Sequence, residues 1–134
     1  MNGAPPLIGD VARPWCNVLA RGTIAVQRCD GCGHWVFYPR FFCPACGGRS
    51  LTWTLVDGRA TLYTWLIAAV PVAPMFAHLD KPILAVAELP VGVRVPTTLV
   101  DADPAAVRIG MALLPVFDRE TYVDVTLLRF RPAE

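Results

Sequence analysis

Apolar and polar positions along the chain fall into one short helical pattern followed by a run of strand patterns. Trp15, Val18 and Leu19 recur at i, i+3 and i+4 within Arg13–Gly22, the spacing of one helix face. Pro14 suits the first turn of that helix and Gly22 its C-terminal cap. Thr23 to Arg28 reads as a strand leading into a cysteine-rich module at residues 29–49. From Leu51 onward β-branched and aromatic residues predict strands at Leu51–Val56, Ala60–Val70, Ile83–Leu89, Val93–Val100, Ala112–Phe117 and Thr126–Phe130.

The breaks between these runs have their own chemistry. Asp57-Gly58 is a turn signal between the first two strands of that set, and Pro90 to Gly92 separates the third from the fourth. Asp101-Ala102-Asp103-Pro104 can cap a helical turn over Ala105 to Val107, and Gly110 ends that segment. Five or six short strands with one small helix predict a compact barrel such as an OB-fold. The fold class expected is mainly β: a short N-terminal helix, a four-cysteine ribbon, then a C-terminal OB-fold barrel. The division expected is an N-terminal arm, helix and lead-in strand at 1–28, the ribbon at 29–49 and the barrel at 50–134, with residues 1–10 as a flexible arm.

Composition narrows the function. Of 134 residues, 54% are hydrophobic and 17% charged, and the formal net charge is +1. So apolar a chain predicts a surface covered by a partner. The near balance of charge argues against nucleic acid as the main ligand. Ser50 is the sole serine and Lys81 the sole lysine. Neither lies in a nucleophile elbow or a phosphate-binding loop, so no catalytic constellation is visible. Residues 1–50 carry +3 and residues 51–134 carry −2, which makes the ribbon half the basic one.

Ala60 to Ala77 holds no charged residue over 18 positions, long enough to suggest a membrane helix. Its prolines and β-branched residues instead predict a strand running into a proline-rich loop, with no membrane span. The first ten residues lack the basic and apolar regions of a signal peptide. Five cysteines without a leader predict a reducing, cytoplasmic setting and a metal rather than disulfides.

Cys29-Asp30-Gly31-Cys32-Gly33 and Cys43-Pro44-Ala45-Cys46-Gly47 form two knuckles with ten residues between their cysteine pairs. Cysteines three positions apart wrap a tight turn and aim both sulfurs at one ion. The glycine after each pair accepts positive φ and turns backbone N–H groups toward the thiolates. Two such knuckles make a tetrahedral four-thiolate site. Cys29, Cys32, Cys43 and Cys46 are thus expected to ligate a structural Zn2+, with rubredoxin-like iron as the competing metal. The intervening residues are expected to form a hairpin, with His34–Tyr38 going out, a turn at Pro39-Arg40, and Phe41-Phe42 returning. Cys16 reads as a buried small hydrophobe rather than a nucleophile, His34 as a spare beside a complete ligand set, and His78 as a surface or interface histidine.

These features resemble a known family. Its members pair a rubredoxin-like zinc ribbon with a C-terminal OB-fold. The resemblance spans roughly residues 13 to 132. It rests on the Trp15 helix, Val26-Gln27-Arg28-Cys29, Tyr38-Pro39-Arg40, the two knuckles, Trp53, Val107-Arg108-Ile109-Gly110-Met111 and Arg129-Phe130-Arg131-Pro132. It implies a non-catalytic accessory subunit of a thiolase-superfamily enzyme: a thiolase, a CoA-thioester aldolase or an acyltransferase. Such a subunit helps assemble or shape the acyl-CoA site and works in a hetero-oligomer. Asp57-Gly58-Arg59-Ala60 and Thr98 depart from the family pattern.

Arg28, Arg40, Arg49 and Arg59 flank the module and could meet CoA phosphates, against the plainer reading of a solvated arginine face. Pro71–Leu79, within the uncharged tract Tyr63–Leu79, is expected to form a partner surface or acyl-chain wall. Two alternatives remain open at this level. One is a single-stranded nucleic-acid-binding ribbon and barrel, with Trp35, Phe37, Tyr38, Phe41 and Phe42 stacking on bases. The other is a rubredoxin-like electron carrier.

Overall fold

A computed structural model describes residues 8–67 and 82–133. Helix α1 (Arg13–Ala20) starts with Pro14 in its first turn. It ends where Gly22 takes φ 79° and donates to the Leu19 carbonyl at 2.9 Å. Leu19 on its inner face is 2% exposed.

Three strands make the ribbon sheet: β1 (Ile24–Cys29), β2 (Trp35–Val36) and β3 (Leu51–Val56). Their order is β2-β1-β3, all antiparallel. Five strands close the barrel: β4 (Ala60–Ile67), β5 (Ile83–Glu88), β6 (Arg94–Leu99), β7 (Ala112–Asp118) and β8 (Leu127–Pro132). The barrel order is β4-β5-β6-β8-β7, with β7 returning to β4. β6 and β8 run parallel, meeting at Leu99 and Phe130. Closure removes the free edges of the sheet, as in OB-like barrels.

Two expectations from the sequence are corrected. Leu51–Val56, read as the first barrel strand, pairs along its whole length with β1, from Ile24 opposite Val56 to Cys29 opposite Leu51. Asp57-Gly58 is therefore a crossing from one sheet to the other rather than a hairpin turn. The hairpin expected between the knuckles also does not form. Trp35–Val36 pairs with β1, and Phe41 and Phe42 lie outside any strand, 69% and 47% exposed. The side chain of Gln27 takes the place of a returning strand, as described below.

Elsewhere the strand bounds shift by a residue or two. The predicted helical turn is a 3-10 turn at Pro104–Ala106, capped by Asp103 Oδ1 accepting from the Ala105 N–H at 3.0 Å. The latter part of the Ala60–Val70 run, the Pro71–Leu79 surface, His78 and the first seven residues lie outside the described residues.

One apolar core joins the two sheets. Leu62, Ala87, Leu113 and Phe130 fill the barrel, and Leu19, Ile24 and Val26 belong to the same cluster. The helix and the base of the ribbon sheet are thereby seated on the barrel. Among the described residues no helix is long and apolar enough to cross a membrane.

Candidate metal centre and the groove beside it

Each knuckle closes by the same local bond. The Gly33 N–H donates to the Cys29 carbonyl at 2.9 Å, and the Gly47 N–H to the Cys43 carbonyl at 2.8 Å. Gly33 and Gly47 have φ 77° and 78°, values a side chain would oppose. The Gly48 N–H also lies 3.4 Å from the Cys46 sulfur. β1 delivers Cys29, and the Cys29 N–H donates to the His34 carbonyl at 2.9 Å, holding the first knuckle against the start of β2.

The four knuckle sulfurs converge. All lie within 4.8 Å of one another. Cys29 Sγ is 3.5 Å from Cys46 Sγ, and Cys32 Sγ is 3.7 Å from Cys43 Sγ. Sulfurs about 2.3 Å from a central zinc stand about 3.8 Å apart at the corners of a tetrahedron. The cluster therefore has the size and donor set of a four-thiolate site. All five cysteines are free, so no disulfide competes with it. Cys29 and Cys43 are buried and Cys32 and Cys46 exposed, which puts one sulfur of each knuckle toward the core and one toward solvent.

Electrostatics divide the thiols. The Cys32 backbone N–H, ahead of other donors, brings the Cys29 thiol down to about 7. At Cys32 the His34 N–H acts in the same downward sense. Desolvation and the neighbouring sulfurs outweigh it and push the thiol up to about 12. The Gly48 N–H likewise favours the Cys46 thiolate, but contact with Cys29 helps raise it overall. Four thiolates this close repel one another and ionise together only around a cation.

Two side chains that the motif does not reveal hold the module in place. Gln27, 5% exposed, donates from Nε2 to the Arg40 carbonyl at 2.8 Å and accepts the Arg40 N–H on Oε1 at 2.7 Å. Asp30 accepts from Ser50 Oγ at 2.5 Å and Thr52 Oγ1 at 2.7 Å, which ties the first knuckle to β3. Those two donors, Ser50 foremost, keep its carboxyl below the usual carboxylate range. A polar residue inside the otherwise buried β1 was the available signal for Gln27.

The other candidates fall apart from the cluster. Cys16 is half-buried on α1. Desolvation raises its thiol against the opposing charge of Arg13, the opposite of an activated nucleophile. His34 is exposed and contributes its carbonyl rather than its ring. Arg28 donates to the Gly33 carbonyl at 3.2 Å and stacks over Trp35, and Arg59 pairs with Asp57 at 2.8 Å. Arg40 and Arg49 project from the exposed surface.

A groove of about 710 Å³ runs between α1, the ribbon and the barrel. Trp15, Phe37, Trp65, Leu84 and Leu128 line its apolar length. Trp15 and Phe37 meet edge to face with ring centres 5.2 Å apart. Arg129 closes one wall, 8% exposed, with its Nε donating to Asp118 Oδ2 at 2.7 Å. The charge is thus neutralised inside the wall, and the groove is predominantly apolar with a few polar groups, the usual character of a small-molecule or partner cleft.

Comparison with known proteins agrees with this geometry. Residues 17–52 match the family model of the ChsH2 rubredoxin-like zinc ribbon domain, and residues 53–118 that of the ChsH2 C-terminal OB-fold domain. A DUF35 domain-containing scaffold protein of Methanocaldococcus jannaschii is 32% identical over 81% of this chain and 77% of its own length. The chain belongs to the DUF35 family. A second DUF35 scaffold protein, from Methanothermobacter thermautotrophicus, is 26% identical over 83% of this chain and 84% of its length.

A probable enoyl-CoA hydratase alpha subunit of Thermomonospora curvata is 33% identical over 89% of this chain, which spans 36% of that longer protein. Among solved structures, the Ltp2-ChsH2(DUF35) aldolase superposes with a TM-score of 0.86 at 28% identity, covering 97% of this DUF35 chain and 100% of that one. A DUF35-family protein of Sulfolobus solfataricus, 15% identical with a TM-score of 0.66 over 92% and 86% of the two chains, shares the fold.

Proposed function

We propose that this chain is a non-catalytic scaffold subunit of a thiolase-superfamily enzyme acting on acyl-CoA thioesters. The observation that carries the reading is the near full-length likeness to the DUF35 chain of the Ltp2-ChsH2(DUF35) aldolase. The relatives named as DUF35 scaffold proteins support it. Cys29, Cys32, Cys43 and Cys46 hold a structural Zn2+. Four thiolates leave no coordination position for a substrate, so the ion's work is to join the two knuckles. With the knuckles joined, the ribbon keeps its place on the barrel and the groove keeps its shape. The exposed aromatics Tyr38, Phe41 and Phe42 present a contact surface of the kind a partner covers. The acyl-CoA site is completed by the catalytic subunit.

Affinity capture of the full chain from its host, followed by native mass spectrometry and metal analysis, tests the reading. The expected result is a stoichiometric thiolase-like subunit and one zinc per small chain. Capture of no enzyme, with salt-sensitive binding to single-stranded oligonucleotide instead, overturns it. Iron in place of zinc, with reversible reduction, overturns the structural-zinc assignment.

A further inference from the structure

β3 is an edge strand. It pairs with β1 on one side and with no described strand on the other. The direction of its outward groups follows from its neighbours. Ser50 accepts at its carbonyl from the Asp30 N–H, so the Ser50 level bonds toward β1. Bonding alternates along an antiparallel pair, so Thr52, Thr54 and Val56 also turn their N–H and C=O toward β1. Leu51, Trp53 and Leu55 turn theirs outward. Cys29, opposite Leu51, agrees: its N–H bonds away from β3, to His34.

Such an edge is normally blunted by charge or proline. β3 has neither, and Leu55 is 67% exposed. Its sequence instead reads the same in both directions: Leu51-Thr52-Trp53-Thr54-Leu55. An antiparallel partner strand from a second copy, centred on Trp53, sets Trp53 against Trp53, Leu51 against Leu55 and Thr52 against Thr54. Aromatic and Thr–Thr pairs of this kind are favourable across strands. The register also satisfies the backbone. Trp53 and the Leu51–Leu55 levels are those whose N–H and C=O point outward, so each level exchanges both bonds.

Charge then continues the symmetry. Two positions beyond the palindrome, Arg49 falls opposite Asp57 of the second copy, at both ends of the pairing. Arg49 is exposed, and among the described residues the ion pair of Asp57 is a local one, with Arg59.

We infer that this chain self-associates through β3, two copies joining their ribbon sheets about a two-fold axis at Trp53 into one six-stranded sheet. This goes beyond the scaffold reading and does not depend on it.

The test uses the zinc-loaded full chain, followed by sedimentation and by amide hydrogen exchange over a dilution series. A reversible monomer–dimer equilibrium is expected, with the Leu51, Trp53 and Leu55 amides gaining protection as concentration rises. Arg49→Asp and Asp57→Arg each place like charges opposite one another. Each is expected to weaken the dimer by about tenfold, since two cross-strand pairs change sign. An equimolar mixture of the two variants restores opposite charges at both ends and is expected to dimerise as the native chain does. A local folding defect at either site would not be rescued by mixing. A monomer at every concentration, a dimer indifferent to both variants, or edge protection that appears only on adding a catalytic subunit would overturn the inference.

Discussion

Gln27 and Arg40 are joined like neighbouring strands although only one of them lies in a strand. The Gln27 amide makes both main-chain bonds of Arg40, donating at 2.8 Å and accepting at 2.7 Å. It thereby holds the segment between the knuckles against β1 without a returning strand.

Gln27→Ala leaves the Arg40 N–H and C=O unsatisfied and is expected to cost about 1–3 kcal/mol. Tm of the zinc-loaded protein should fall by several degrees. The Arg40 amide should lose protection in hydrogen exchange while β4–β8 amides keep theirs. An unchanged Arg40 amide would show that the segment is held by something else.

Cys43 is fully buried and anchors the small apolar cluster with Cys29 and Val36. Cys43→Ser, or removal of metal by a chelator, is expected to abolish the ribbon's near-ultraviolet circular dichroism, to which Trp35, Phe37 and Trp53 contribute. Structural zinc sites contribute about 10–16 kcal/mol in isolated finger peptides, far more than so small a cluster can supply. Retention of the native spectrum without metal would refute the structural role.

Asp118 and Arg129 form a pair within the barrel wall, 14% and 9% exposed at their side chains. Desolvation opposes the Asp118 carboxylate, but hydrogen bonds from Thr121, Arg129 and two backbone N–H groups outweigh it and hold the carboxyl well below its usual range. Because the folded pKa is depressed, this stabilisation is present above the unfolded pKa, about 4, and is lost as pH falls from there through the folded value. Asp118→Asn leaves the buried guanidinium uncompensated and is expected to cost about 3 kcal/mol at neutral pH. Urea midpoints should show the penalty shrinking below about pH 4. A penalty constant with pH would mean the pair is not the cause.

Gly58 sits where the ribbon sheet crosses to the barrel. A Cβ there would stand 2.8 Å from Pro115 Cγ and 3.0 Å from Ile24 Cδ1. Gly58→Ala is expected to cost about 1–3 kcal/mol by forcing β1 and β7 apart, read as a lower thermal midpoint with zinc content unchanged. A neutral effect would mean that Pro115 gives way freely.

Gly58 also marks how far the sequence is legible. Asp57-Gly58 carries a hairpin signal, and strands do flank it, at Leu51–Val56 and from Ala60 to Ile67. The glycine is required instead by the close approach of Pro115, a residue far along the chain. The same division holds at Trp53, whose strand is evident from its β-branched neighbours while its partner is not.

Alternation, cysteine spacing and capping residues act over a few positions, so the helix, most strand positions, both knuckles and the four sulfurs meant to meet are legible in the chain alone. Long-range packing settles that β3 joins β1 rather than β4, that Gln27 replaces a strand, and that Trp15, Phe37 and Leu128 enclose one groove. A strand's pattern states which face is buried and leaves its edge partners open. Those partners are chosen by register and by the shared core in which Leu19, Ile24 and Phe130 meet.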